Sequence, residues 1–371
     1  MDKKMRILYI NGGLMDRGGV SSVMMNYYLH FTDHNIRVDF LGHGEGPGVR
    51  DEEILGRGGK VFNIPAKSKN FFGNYKQLKT IIKNGRYDIV HAHADSGNAY
   101  LLKVAKECGV PVRISHSHNT NYTINNKVRI FLNDIQKKQI KKYATNLWAC
   151  SHKAAQWLYG NDNDVEVIHN AIETKKFCFS MEQRDKIRDI YGLENKYVIG
   201  IVGRLDYQKN HSFMLDVIKE YVTIEPNAKL MIIGDGKLKE DLVKKVDDLK
   251  INDNVIFVGQ VQNVYDFYSA FDVLVMPSLF EGLPVSAIEA QTSGLPCLIS
   301  EEVTKEVNLG YNVSYLNIKN PKVWVEQLQN VKNIERDFDK APARVADAGY
   351  DIQREADRIQ KRYWKLKEEI I

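Results

Sequence analysis

Short β-rich runs alternate with helix-length segments along the whole chain, and several of the runs are apolar on both faces. "VIGIV" (198–202) and "LMII" (230–233) leave no polar side to turn toward water. A strand of that kind must be covered above and below, which is the situation of a parallel sheet sandwiched between helices. In the first half the candidate strands are "MRILYIN", "IRVDFLG", "KVFNIP", "YDIVHAH", "VRISHSH", "NLWACS" and "VEVIHN". Helical stretches such as "GGVSSVMMNYYLHF" and "NAYLLKVAKECG" lie between them. The second half repeats the scheme with "YVIGIVGR", "KLMIIGDG", "NVIFVGQV", "DVLVMPS" and "LPCLIS". Such alternation predicts an α/β chain of doubly wound sheets, and 371 residues fit two of them.

The charged, weakly apolar stretch from Glu173 to Lys196 reads as the boundary. It divides the chain into a first domain of residues 1–173 and a second of 174–350. The final helical segment, 351–371, has no strand after it and is expected to pack back on the first domain. Up to Glu173 there are 24 Lys+Arg against 16 Asp+Glu, a net of +8, whereas the remainder is net −3. A basic first half suggests an anionic partner. No run approaches 18 apolar residues, and the N-terminus reads as a first strand rather than a leader. Cys108, Cys150, Cys178 and Cys297 are scattered, without C-x-x-C or framework spacing, so a reducing cytoplasm is expected.

In open α/β sheets ligands gather beyond the carboxyl ends of the strands. The first such loop, "NGGLMDRGGVSS" (11–22), carries Gly12, Gly13, Gly18 and Gly19 at a helix start. It suits a phosphate or a hydroxyl-rich acceptor, although its spacing is neither the dinucleotide fingerprint nor a P-loop. The second, "GRLDYQKNH" (203–211), places Arg204 and Lys209 after Gly203, a planar fork and a point charge suited to a diphosphate. A third stretch, "FEGLPVSAIEAQTSGLPCLIS" (280–300), puts Glu281 and Glu289 on either side of Gly282, Leu283, Pro284 and Val285. Pro284 fits the first turn of a helix, whose free amides would favour phosphate. Eight residues at helical rise span roughly 12 Å, so the two carboxylates could hold hydroxyl-bearing rings at opposite ends of one ligand. A sugar nucleotide has that layout.

The E-x7-E stretch with "EGLP" resembles the signature of retaining glycosyltransferases of family 4, which have the GT-B fold of two Rossmann-like domains facing across a cleft. "VGRLDYQKNH", "IIGDG", the "GG…GGV" loop and "VIHNAIETKKF" follow in the family's order. "GGVSSVMMNYY" and "SEEVTKEVNL" look most like bacterial exopolysaccharide and capsule enzymes. Departures are His169 and Ala171, where the family has Pro and Gly. They bear on the segment joining the domains rather than on chemistry. The resemblance implies that Glu289 binds the nucleotide ribose, Glu281 binds donor-sugar hydroxyls, and Arg204 and Lys209 hold the diphosphate. It also implies a donor-side histidine in "PVRISHSHN", His116 or His118, with His118 the better fit. It makes the second domain the donor-binding one and the first the acceptor-binding one. The expected reaction is retaining transfer of a hexose or N-acetylhexosamine, by front-face attack, from a UDP-sugar to a glycan or polyprenyl-diphosphate-linked glycan. No D-x-D metal motif stands where a cation would be needed, so no cofactor and no essential metal are expected, with Arg204 and Lys209 in the cation's place.

Three rival readings remain. "HAH" (His91, His93) and "HSH" (His116, His118) each put two imidazoles on one strand face, as a metal-dependent hydrolase requires, but no Asp or Glu is evidently placed around them. A nucleic-acid binder is disfavoured because no such module is present and the excess charge is spread widely. A catalytically inactive sugar-nucleotide-binding protein fits the same motifs. Finally, "KVRIFLNDIQKKQIKK" (127–142) carries six Lys/Arg against Asp134, with Val128, Phe131, Leu132 and Ile135 at helical spacing. It reads either as an interfacial helix on anionic lipid at the inner face of the plasma membrane or as a solvated helix packed on its sheet.

Overall fold

The computed structural model describes residues 4–122 and 126–369. The ends of the expected first and last segments, 1–3 and 370–371, lie outside the described residues. The chain divides into two compact units, one of residues 1–171 with 352–371 and one of residues 172–351.

In the first unit, seven parallel strands run in the order β3-β2-β1-β4-β5-β6-β7. They are β1 (Met5–Asn11), β2 (Ile36–His43), β3 (Val61–Ile64), β4 (Ile89–His93), β5 (Val112–Ser117), β6 (Asn146–Ala149) and β7 (Val165–Val167). Six parallel strands form the second unit in the order β10-β9-β8-β11-β12-β13. These are β8 (Tyr197–Val202), β9 (Ala228–Ile233), β10 (Val255–Gly259), β11 (Val273–Met276), β12 (Cys297–Ser300) and β13 (Val313–Leu316). Both sheets reverse their winding direction once, between β1 and β4 and between β8 and β11. That reversal opens a crevice at the carboxyl ends of the central strands. The strands apolar on both faces form the centre of each core: Ile7, Leu8, Ile10, Ile199, Leu230 and Ile232 are buried.

Right-handed crossovers decide which face each helix covers. The Phe71–Gly85, Asn98–Glu107 and Lys127–Tyr143 helices make the β3–β4, β4–β5 and β5–β6 crossings, all in one direction, so they share a face. Tyr100 on the middle helix donates its hydroxyl to Asn74 on the first, at 2.8 Å. The C-terminal helix, Ile352–Glu368, belongs to the first unit. Its Gln360 Oε1 accepts the backbone amides of Thr32 and Asp33 (2.9 and 2.8 Å), and its Tyr363 hydroxyl meets that of Tyr9 at 2.8 Å.

One sequence expectation changes. The Glu173–Lys196 stretch lies within the second unit rather than forming the boundary itself. Within it the Met181–Ile190 helix aims Arg184 and Arg188 at the two oxygens of Asp272, at 2.6 and 2.7 Å, tying it to the second unit. Those two arginines turn inward while most of the stretch's other charges stay exposed, a distinction that composition does not make. Chain entry and exit of that unit pair with each other, through a bridge from Ile172 to Asp351 and a 2.7 Å bond from Thr174 Oγ1 to the Asp351 carboxylate. The departures at His169 and Ala171 fall just before this point. The His169 carbonyl accepts from the Tyr27 hydroxyl at 2.6 Å, and Ala171 is fully buried.

Candidate functional site

In the second unit the loop after β8 is shaped by close backbone approach. Gly234 has φ +138°, and a Cβ there would lie 2.0 Å from the Gly203 carbonyl oxygen, so only glycine lets the β9 end pass. Asp206 accepts the Lys209 amide at 3.4 Å, turning the chain so that the Lys209 side chain points back over the loop. There Lys209 Nζ donates to Glu281 Oε1 at 2.7 Å, with side-chain exposures of 19% and 9%. Gln208 Nε2 donates to the other Glu281 oxygen at 3.2 Å and to the Phe280 carbonyl at 2.9 Å. A cation and an anion from the β8 and β11 ends are therefore locked together at the winding reversal. Arg204 differs. Its side chain is 65% exposed and lies 3.6 Å from Asp206, so it is the more weakly held cation of the two.

The Val285–Thr292 helix begins one residue later than the sequence suggests. Pro284 holds the cap position with φ −72° and ψ 115°. Glu281, Gly282 and Leu283 are buried in the preceding loop. Because only Val285 to Glu289 are helical, the roughly 12 Å rise reckoned over eight residues does not apply. Glu289 accepts a hydrogen bond from the Tyr268 hydroxyl at 2.5 Å. Burial raises its pKa to about 7, against the opposing pull of Tyr268 and of the Lys209 charge. A carboxyl held near neutrality can accept hydroxyl donors when ionised and donate when not.

The first unit puts a different chemistry at the winding reversal of its own sheet. β4 and β5 lie side by side, and His91, His93, His116 and His118 form two edge-to-edge pairs. His91 Nε2 meets His116 Nδ1 at 3.1 Å, with the rings 4° from parallel. His93 Nδ1 meets His118 Nε2 at 2.8 Å. The pairs stack, with centroids 4.0 Å apart for His91 and His93 and 4.2 Å for His116 and His118. His91 Nδ1 continues to the Tyr363 hydroxyl at 2.8 Å and so to Tyr9. Burial holds His91, His93 and His116 well below the usual histidine range, and lowers His118 to about 3. All four are neutral hydrogen-bonding groups at ordinary pH.

His118, the first residue past β5, is fixed by Asp95, whose carboxylate accepts the His118 amide at 2.9 Å and the Asn119 side chain at 2.6 Å. An acidic residue does stand beside these histidines, contrary to the sequence reading. Four residues after His91 it sits in a left-handed turn (φ +47°), and it grips the backbone rather than an imidazole. His116 lies deeper, its Nε2 buried without a partner among the described residues. The imidazole nitrogens of His91, His93 and His116 fall within 4.8 Å of one another. Stacked rings run their in-plane lone pairs side by side, however, and zinc–nitrogen bonds of about 2.0–2.1 Å need them to converge. Geometry thus disfavours the hydrolase reading.

In the glycine loop, Asp16 accepts the Gly18 amide at 2.7 Å and the Ser21 hydroxyl at 3.2 Å, placing a carboxylate at the start of the Gly19–Leu29 helix. That favours hydroxyl-bearing ligands over phosphate there. Gly13 and Gly19 have no atom within 4 Å of where a Cβ would stand, and Gly12 only Ala94, at 3.4 Å, so the loop is open above.

Residues 17–176 match the model of glycosyltransferase family 4, and residues 183–350 that of group 1 glycosyl transferases. The putative glycosyltransferase EpsF of Bacillus subtilis is 33% identical over 362 residues, covering 94% of this chain and 93% of its own. The chain belongs to glycosyltransferase family 4. It has the GT-B fold and is a glycosyltransferase of polysaccharide biosynthesis. An Escherichia coli relative, the UDP-Gal:alpha-D-GlcNAc-diphosphoundecaprenol alpha-1,3-galactosyltransferase, is 26% identical and covers 76% of each chain. Anabaena HepE, solved in complex with UDP-glucose, superposes with a TM-score of 0.80 at 15% identity, over 97% of this chain and 100% of its own. Among the described residues, no helix of this glycosyltransferase is long and apolar enough to cross a membrane.

Sequence reasoning missed Gln208, Asp95, Tyr268 and Tyr363. Gln208 and Asp95 adjoin recognised motifs and could have been found as their braces. Tyr268 and Tyr363 reach their partners across 21 and 272 residues, with no local signal.

Proposed function

We propose that this enzyme transfers a hexose or N-acetylhexosamine, with retention, from a UDP-sugar to a glycan or polyprenyl-diphosphate-linked glycan in exopolysaccharide or capsule assembly. The observation that carries the reading is the Lys209–Glu281 pair, braced by Gln208 and with Glu289–Tyr268 one helical turn beyond. Lys209 is preorganised for a phosphate oxygen, and Arg204 is free to swing onto the same diphosphate. Together with the amides of Gly282, Leu283 and Val285 they stabilise the departing UDP in a cation's place. Glu281 takes donor-sugar hydroxyls and Glu289 the ribose diol. In the first unit, His118 is the donor-side histidine. Neutral and fixed by His93 and Asp95, it donates or accepts a hydrogen bond at a sugar hydroxyl without adding charge. Gly12, Gly13, Gly18 and Gly19 leave room for the acceptor.

The base and the acceptor rest on HepE and on the E. coli relative, whose names carry UDP-glucose and a diphosphoundecaprenol-linked sugar. A lipid-linked acceptor places the enzyme peripherally at an anionic bilayer, with residues 127–142 in contact. The test is a panel of sugar nucleotides in EDTA, following UDP release and the anomer formed. One preferred UDP-sugar and an α-linked product support the proposal. Binding without turnover on any acceptor would leave an inactive sensor, and an inverted product would overturn retention.

A further inference from the structure

The Lys127–Tyr143 helix turns its apolar stripe outward. Val128, Phe131, Leu132 and Ile135 are 69, 65, 51 and 41% exposed, while Ile140 on the opposite side is its one buried residue. The inner side is built from charge. Lys137 lies 4.4 Å over the Trp157 ring and 3.7 Å from Asp134. Packing on the sheet therefore does not account for the stripe, which is rimmed by exposed Lys127, Arg129, Lys138, Lys141 and Lys142.

A second exposed apolar feature lies on the same face of the first unit. Phe71 and Phe72 open the Phe71–Gly85 helix, 49 and 83% exposed, their rings 5.6 Å apart. Asn70 caps the helix by accepting the Gly73 amide at 2.8 Å, so this pair is held rigidly at a helix start rather than on a loose tip. The two features are joined. Phe71 packs 6.0 Å from the Tyr100 ring, and Lys67 lies 4.8 Å over that same ring. Lys67 also reaches Gln136 on the Lys127–Tyr143 helix at 3.5 Å. Exposed Lys69 and Lys76 flank the phenylalanines. Both helices start beyond strand carboxyl ends, β3 and β5, the edge that also carries His118.

Apolar side chains ringed by lysine and arginine, against which stand two acids already paired with lysines, Asp134 with Lys137 and Glu45 with Lys69 at 3.7 Å each, complement an anionic lipid surface. We infer that the first unit docks on an anionic bilayer at two points, with Phe71 and Phe72 inserting beside the stripe of the Lys127–Tyr143 helix. This turns the catalytic edge of that unit toward the membrane. The inference deepens the lipid-linked reading above and rests on it.

Sedimentation of the enzyme with vesicles of phosphatidylglycerol and phosphatidylcholine, compared with phosphatidylcholine alone, tests it. Wild-type enzyme should bind only the anionic vesicles and release at high salt. Phe71→Ser/Phe72→Ser should bind at least tenfold more weakly, with unchanged Tm and unchanged UDP release on a water-soluble acceptor. Bromine-labelled acyl chains should quench the added fluorescence of Phe72→Trp. If Lys138→Gln/Lys141→Gln/Lys142→Gln loses binding but the phenylalanine variant keeps it, two-point docking is wrong while the helix contact stands. If wild type ignores both vesicles, both readings fall. If it self-associates without lipid and the phenylalanine variant does not, a second copy covers the patch and the inference is overturned.

Discussion

The carboxyl edges of the two sheets occupy equivalent places in near-identical topologies, yet one is neutral and the other charged. At the β4–β5 edge four histidines satisfy most of their ring nitrogens through each other and Tyr363, and burial keeps them unprotonated. At the β8–β11 edge a lysine and a glutamate pair directly at 2.7 Å. The winding reversal fixes where a ligand can sit; the side chains at strand ends fix what it is. Neutral imidazoles suit hydroxyls, whereas a held ammonium suits a phosphate.

Removing the charge should do the most damage. Lys209→Ala deletes the proposed phosphate ligand and leaves Glu281 buried without its cation, so UDP release should fall by about 10²–10³-fold. Wild-type rates in this variant would erase the contrast between the edges. Next in size is a backbone effect confined to the charged side. Gly234→Ala places a methyl 2.0 Å from the Gly203 oxygen, and should cost about 3 kcal/mol by thermal unfolding. Hydrogen exchange should show the loosening in residues 172–351, and loosening of both units alike would contradict it.

Titration should separate the edges by sign. The histidines' folded pKa values are depressed, so their stabilisation is complete above about pH 6.5 and is lost as pH falls below it. The folded pKa of Glu289 is raised from 4.5 to about 7, so its contribution is complete below 4.5 and is lost as pH rises through 7. Glu289→Gln should therefore gain stability relative to wild type between pH 5 and 8, by about 2–3 kcal/mol at the upper end. His116→Asn should flatten the acid limb instead. Parallel pH curves for all three proteins would refute the assignment. The smallest effect belongs to Tyr268→Phe, which removes one hydrogen bond to Glu289 and should raise KM for the donor by roughly three- to tenfold with little change in kcat.

Most of the fold is visible in the hydrophobic pattern, because strands covered on both faces announce themselves. β13 does not: Val313, Ser314 and Tyr315 are each only partly buried at a sheet edge, and its four residues include a serine, so no apolar run marks it. Arg184 and Arg188 look like solvent-facing charge because nothing local points to Asp272. The candidate site was legible where its residues are close in sequence, as with Glu281 and Glu289 or Arg204 and Lys209. It was opaque where sheet register makes the contact. His91 meets His116 only because β4 pairs with β5 in one register, and no spacing in "HAH" or "HSH" encodes that.

The most direct test is calorimetric titration of UDP and of UDP-sugars into wild-type, Lys209→Ala and His118→Asn enzymes in EDTA. The account predicts that Lys209→Ala weakens UDP at least tenfold, whereas His118→Asn leaves UDP unchanged and weakens only the UDP-sugar. Equal UDP affinity in wild type and Lys209→Ala, or no UDP binding at all, would contradict it.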